Sequence, residues 1–205
     1  KERPLDLIDV LEGLENCEEE FLRLRKTLPQ DPLLGAARFI YLNRTAFNGI
    51  YRVNKKGLFN VPYGRPDVAI LEREKILEAS RALQKTSLSA RDFGTENKCK
   101  KNDFVFLDPP YSFGGKQAFI SYNSKVFSLN DQKRLASLVE NLESKGIAYV
   151  LTNSAHVEVE ELFSFCKHRA VLSRREYIAA DPTRRKMAKE MIFSNIEGFE
   201  NVIDG

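Results

Sequence analysis

From residue 103 onward, short apolar runs alternate with amphipathic helical stretches, and this alternation constrains the fold more than any other feature of the chain. Residues 103–107, 147–151, 168–172 and 189–195 have the length and composition of strands, whereas 129–144 and 156–165 carry apolar residues at helical spacing. Ser128 stands where the first of those helices needs a cap. A strand of four or five consecutive apolar residues calls for cover on both faces. Helices between such strands supply it, so the second half reads as an α/β sheet.

The first 85 residues break that rhythm. Apolar residues at helical spacing predict one helix over 5–28, ended by Pro29 and Pro32, and a second over 33–45. Residues 51–54 and 58–61 then flank Lys55-Lys56-Gly57 and read as a β-hairpin with glycine at its turn. Pro66-Asp67 opens a further predicted helix, to about residue 83, and 87–90 is a short strand candidate. The chain therefore divides into a helical and hairpin module over 1–85 and a sheet-forming part over 86–205.

With 42% of its 205 residues hydrophobic, the chain can bury a sizeable core and is not a disordered polymer. No apolar run approaches the roughly 20 residues of a membrane span, and no basic-then-apolar leader is present. Three widely spaced cysteines (Cys17, Cys99, Cys166) point to reduced thiols in a cytoplasmic protein, and two histidines are too few for a histidine-rich metal centre. Charge is unevenly placed. Residues 32–66 hold six basic side chains (Arg38, Arg44, Arg52, Lys55, Lys56, Arg65) and no acid, and 167–189 hold eight basic against two acidic. Two basic islands in a nearly neutral protein predict a localised polyanion footprint.

The sharpest motif is Asp108-Pro109-Pro110-Tyr111, directly after the strand Phe104-Val105-Phe106-Leu107. Ligands of open α/β sheets bind beyond the carboxyl ends of strands, which is where these four residues fall. The set suits methyl transfer to an exocyclic amino group. The amino nitrogen of adenine is a poor nucleophile because its lone pair is delocalised into the ring. A carboxylate (Asp108) and a backbone carbonyl (Pro109) accepting its two hydrogens would localise that pair, with the prolines holding the carbonyls rigid. Tyr111 offers a face for an extruded base. Gly114-Gly115-Lys116 lacks the upstream glycine and following Ser/Thr of a phosphate-binding loop and reads as a loop beside the site.

At this point the chain resembles the N6-adenine DNA methyltransferases of the GATC-modifying (Dam-like, D12) class. Beyond the acidic-proline-tyrosine motif, residues 42–54 (LNRTAFNGIYRVN) and 57–65 (GLFNVPYGR) resemble that class's target-recognition hairpin. Residues 150–154 (VLTNS) and 189–195 (KEMIFSN) resemble its later core strands. The resemblance implies a Rossmann-like S-adenosylmethionine-dependent methyltransferase sheet, incomplete at the N-terminus, with an inserted helical and β-hairpin DNA-recognition module. It places Asp108, Pro109, Pro110 and Tyr111 around the flipped adenine. It also implies Asp92, Phe93 and Asp108 as cofactor-binding residues: Asp92 would accept from the amino group of the S-adenosylmethionine adenine, and Phe93 would stack on it.

Double-stranded DNA is the implied partner, at a GATC-like site. Arg52 can make a bidentate contact to guanine. Ile50 could wedge into the base stack and Pro62 could touch a thymine methyl, while Arg44, Phe47, Asn48, Asn54 and Arg65 could reach bases or phosphates. Lys55 and Lys56 suit phosphates at the hairpin tip. No metal is implied, because a sulfonium is already an activated methyl donor.

The resemblance also implies an N-terminal segment with a glycine-rich cofactor turn, yet the eleven glycines here include no GxG. The expectation is a trimmed chain, a proteolytic product or one half of a split enzyme, with a second segment or chain completing the cofactor site. Such a chain would expose an apolar sheet edge and methylate weakly or not at all alone. Two rival readings follow: a catalytically silent DNA-binding relative, or a methyltransferase acting on RNA or a protein amide.

Overall fold

The structure, a computed structural model, describes residues 1–54, 56–94, 99–111, 127–175 and 187–199. These fall into two compact units, one within 1–90 and the other from Arg91 onward.

The first unit contains helices α1 (Pro4–Glu12), α2 (Glu18–Lys26), α3 (Pro32–Thr45) and α4 (Arg73–Ala82). The single helix expected over 5–28 is thus two helices. Gly13 closes α1, and Cys17, in extended backbone, opens α2 with its sulfur accepting the Glu20 N–H. The apolar period runs through the break because Ile8, Leu11, Phe21 and Leu24 are all buried. The turn between the helices is tied down from elsewhere: the Tyr41 hydroxyl donates to the Glu15 carbonyl at 2.8 Å. Arg38 is buried and donates to the carbonyls of Leu24 (2.7 Å) and Arg25 (3.0 Å), satisfying the C-terminal end of α2. One charge of the acid-free stretch is therefore used inside the fold.

After α3 the chain makes the expected hairpin, with Val53 paired antiparallel to Phe59 and the Asn54 N–H donating to the Leu58 carbonyl at 2.8 Å. Gly57, at φ +76°, takes the left-handed conformation the turn requires. Phe59 and Val61 bury their side chains with Phe21, Tyr41 and Leu42, so the hairpin is anchored to the helices by its own alternate residues. The helix expected from Pro66 starts only at Arg73. The carbonyls of Arg65, Pro66 and Val68 accept from the Asn16 side chain, and that of Ala69 from Arg44, so this stretch is held as a loop. Residues 87–90 are exposed and form no strand.

The second unit is a four-stranded sheet in the order β1-β2-β4-β3, formed by β1 (Phe104–Leu107), β2 (Ala148–Ser154), β3 (His168–Arg175) and β4 (Met187–Ser194). β1 and β2 are parallel, whereas β4 runs antiparallel to both β2 and β3. Helix α5 (Leu129–Ser144) links β1 to β2, and α6 (Val157–Leu162) follows β2. Ser128 caps α5 as expected, in a reciprocal capping box with Asp131. Leu135, Val139 and Leu142 of α5 pack with Tyr149, Leu151, Phe163 and Phe193 in the core.

The expectation that β1 is buried on both faces is not met. Val105 and Leu107 pack on the core, but Phe104 and Phe106 are 58% and 60% exposed. A strand shows alternate residues to opposite faces, and among the described residues only one face of this edge strand is covered. No helix of the described residues is long and apolar enough to cross a membrane.

Candidate active site

The parallel pairing of β1 and β2 sets their carboxyl ends side by side, with Leu107 opposite Leu151. One residue further along each strand, Asp108 faces Thr152, whose hydroxyl donates to the Asp108 carboxylate at 2.7 Å. Asp108 and Pro110 are exposed, and Pro109 and Tyr111 are half-buried. The acid is thus fixed by a neighbouring strand yet open to an incoming ligand. A carboxylate has about four acceptor positions, so one bond from Thr152 leaves capacity for a further donor. Sequence reasoning quoted Thr152 within a strand motif but gave it no role, because the contact depends on strand register.

Asp92 and Phe93 follow irregular backbone rather than the expected strand. Asp92 pairs with Arg134 of α5 and its Oδ1 accepts the Gly94 N–H at 2.9 Å. Those hydrogen bonds, the one from Arg134 foremost, hold its carboxyl below the ordinary carboxylate range. The half-buried Phe93 ring lies 5.9 Å from that of Phe127 and packs against the same core as Leu107. An acidic acceptor next to an aromatic ring on a hydrogen-bonded turn fits the polar edge and flat face of an adenine group.

The candidate DNA-contacting residues lie in the first unit. Arg52 is exposed, and its Nε donates to the Asn60 side chain at 2.9 Å across the hairpin. That partner aims the guanidinium and was not anticipated from sequence. Lys56, Pro62, Asn48 and Arg65 are exposed, as is Phe47. Asn48 (φ 53°) and Gly49 (φ 64°) form a left-handed pair that turns the chain after α3. Gly64 passes so close to Phe47 that a Cβ there would lie 2.8 Å from the Phe47 Cα.

Other candidates carry internal work. Arg44 donates to the Ala69 carbonyl and pairs with Glu72 at 3.2 Å. The Asn54 side chain accepts the Lys56 and Leu58 N–H groups and so builds the turn. Ile50 is half-buried against the Phe21–Tyr41 cluster. Lys55 and the Gly114-Gly115-Lys116 loop lie outside the described residues.

An acid and two prolines beyond a parallel strand, with an arginine-bearing hairpin earlier in the chain, define the class. Residues 1–178 match the D12 class N6 adenine-specific DNA methyltransferase family, and the chain belongs to it. A type II methyltransferase of Lactococcus lactis subsp. cremoris, M1.LlaDCHI, is 35% identical over 209 residues, covering 95% of this chain and 73% of that protein. A type II methyltransferase of Methanocaldococcus jannaschii, M.MjaIII, is 33% identical, covering 80% of this chain and 58% of its own length. The DNA adenine methylase of Salmonella typhimurium is 30% identical, with 84% of this chain and 63% of that enzyme aligned. The chain thus spans from about three-fifths to three-quarters of these relatives.

Proposed function

We propose that this chain carries the base-binding and DNA-recognising parts of a cytoplasmic enzyme that methylates adenine N6 in a short, GATC-like duplex site, with S-adenosylmethionine as donor. The observation that carries the reading is Asp108, exposed at the carboxyl end of β1 and oriented by Thr152. Asp108 accepts one hydrogen of the target amino group and the Pro109 carbonyl the other, which concentrates the lone pair on nitrogen. Tyr111 stacks on the extruded base. The donor supplies a methyl group already activated on a sulfonium. Asp92 and Phe93 would hold its adenine end, by accepting from the amino group and by stacking. Arg52, aimed by Asn60, reads guanine in the major groove, while Lys56 and Arg65 meet phosphates.

Transfer of tritium from labelled S-adenosylmethionine to duplexes with and without GATC tests this. The chain is assayed alone and extended to the length of its relatives, beside Asp108→Ala. Label confined to GATC-containing DNA and lost with Asp108 is the expected result. DNA binding without label in any form of the protein supports a silent DNA-binding relative instead. Label entering RNA or a protein amide in preference to DNA refutes the DNA reading.

A further inference from the structure

Arg134 is the most heavily engaged charged side chain near the candidate site that neither the sequence reading nor the proposed chemistry uses. It projects from the second turn of α5, and its guanidinium makes three contacts at once. One terminal nitrogen pairs with Asp92, the other bonds Asp131 at 3.0 Å, and the central carbon sits 4.8 Å from the centroid of the Phe93 ring. Asp131 is itself locked into the α5 capping box by Ser128. The network therefore runs from the start of a packed helix, through Arg134, to both Asp92 and Phe93. Gly94 lies close against the pair: a Cβ there would lie 2.8 Å from the Arg134 Nη2 and 3.1 Å from the Asp92 Oδ1, so a side chain at this position would displace the guanidinium.

On the reading that Asp92 and Phe93 meet the adenine of S-adenosylmethionine, we propose that Arg134 is the positioning residue for that end of the cofactor. It fixes the carboxylate and the aromatic ring in one relative orientation before the ligand arrives. The physical case rests on preorganisation. A turn with an acid and an aromatic ring samples many geometries, and ordering them on binding lowers affinity. A planar guanidinium can hydrogen-bond a carboxylate through its edge while its carbon lies over a ring, whereas an ammonium supplies the charge without the plane. Arg134 itself does not touch the reacting atoms. Its loss should weaken the cofactor and leave DNA recognition alone.

The test is equilibrium dialysis of labelled S-adenosylmethionine against the chain extended to the length of its relatives, as wild type, Arg134→Gln, Arg134→Lys and, as a control on the same helix, Lys133→Ala. Hydrogen exchange at the Gly94 amide and duplex binding are followed in parallel. The expected result is a loss of cofactor affinity of tenfold or more in Arg134→Gln, with partial recovery in Arg134→Lys. Exchange at Gly94 should be faster in Arg134→Gln, while duplex binding and Lys133→Ala match wild type. Equal cofactor affinity in wild type and Arg134→Gln overturns the positioning role and leaves the methyltransferase reading intact. Absence of cofactor binding in wild type refutes the cofactor assignment of Asp92 and Phe93, and the inference falls with it.

Discussion

Gln132 and Asn153 form a buried polar pair that joins the first turn of α5 to the end of β2, and breaking it should be destabilising because a buried amide N–H loses its acceptor. Neither residue has any exposed surface. The Asn153 Nδ2 donates to the Gln132 Oε1 at 3.0 Å, and the Asn153 Oδ1 accepts the Ser154 N–H at 2.9 Å. Gln132→Leu nearly conserves volume, so the cavity contribution is small. What remains is an amide N–H stripped of this acceptor in a dry core, which costs about 1–3 kcal/mol. The added apolar surface of leucine offsets part of that, and we expect a net loss of about 1.5–2 kcal/mol. For a chain of this length that lowers Tm by roughly 3–8 °C. Replacing both partners, as Gln132→Leu with Asn153→Leu, removes the unmatched group, so the double variant should be more stable than the sum of the singles by about 1 kcal/mol. Urea unfolding followed by circular dichroism closes the cycle. Strict additivity, or a Gln132→Leu variant as stable as wild type, refutes the claim that this pair pins α5 to the sheet.

Three further outcomes follow from the geometry. Thr152→Val removes the donor that orients Asp108; because that acid is exposed, the loss is about 1 kcal/mol, or roughly fivefold in methyl transfer, with Tm nearly unchanged. An unaltered rate would mean that Asp108 needs no orienting group. Arg52→Ala should reduce discrimination between cognate and unrelated duplexes by about 1–3 kcal/mol in competition binding, and an unchanged specificity ratio would remove Arg52 from base reading. Asp92 is held below the ordinary carboxylate range chiefly by Arg134, and Asp131 chiefly by the Ser128 hydroxyl. A lowered folded-state pKa gives stability that is complete above the unfolded value and is lost as pH falls through the folded one. Wild type should therefore lose Tm below about pH 4 more steeply than Arg134→Gln, and parallel acid profiles would contradict the coupling.

The parts legible in the sequence were those where local signals and tertiary structure agree. Ser128 with Asp131 three residues on is a capping box in both, and α5 begins where that pattern places it. Leu107 ends its strand because an acid and two prolines follow. The two misplaced helix boundaries share one cause: long-range side-chain bonds that periodicity cannot carry. The helix expected across 5–28 breaks where Tyr41 and Asn16 hold the turn, and the helix expected from Pro66 is delayed because Asn16 and Arg44 take its carbonyls. Burial of Phe104 and Phe106 was inferred from apolar character alone, which says nothing about whether a second layer is present.

The same distinction separates residues that define the candidate site from those that hold it. Asp108 stands out in the sequence by the motif it opens, and Asp92, Phe93 and Arg52 stand out only once the resemblance to the methyltransferase family is drawn. Thr152, Arg134 and Asn60 do not, since a threonine in a strand, an arginine on a helix face and an asparagine in a hairpin are ordinary. Each lies 8 to 44 residues from the group it orients and meets it only through register or helix packing. Orientation of a polar group by a second, fixed group is what converts a flexible side chain into a preorganised one. The acid-free stretch over 32–66 makes the same point about charge: Arg38 and Arg44 bond within the fold, whereas Arg52, Lys56 and Arg65 are exposed. Charge counting gives the total for a stretch, and only the partners of each cation show which ones are engaged inside the fold.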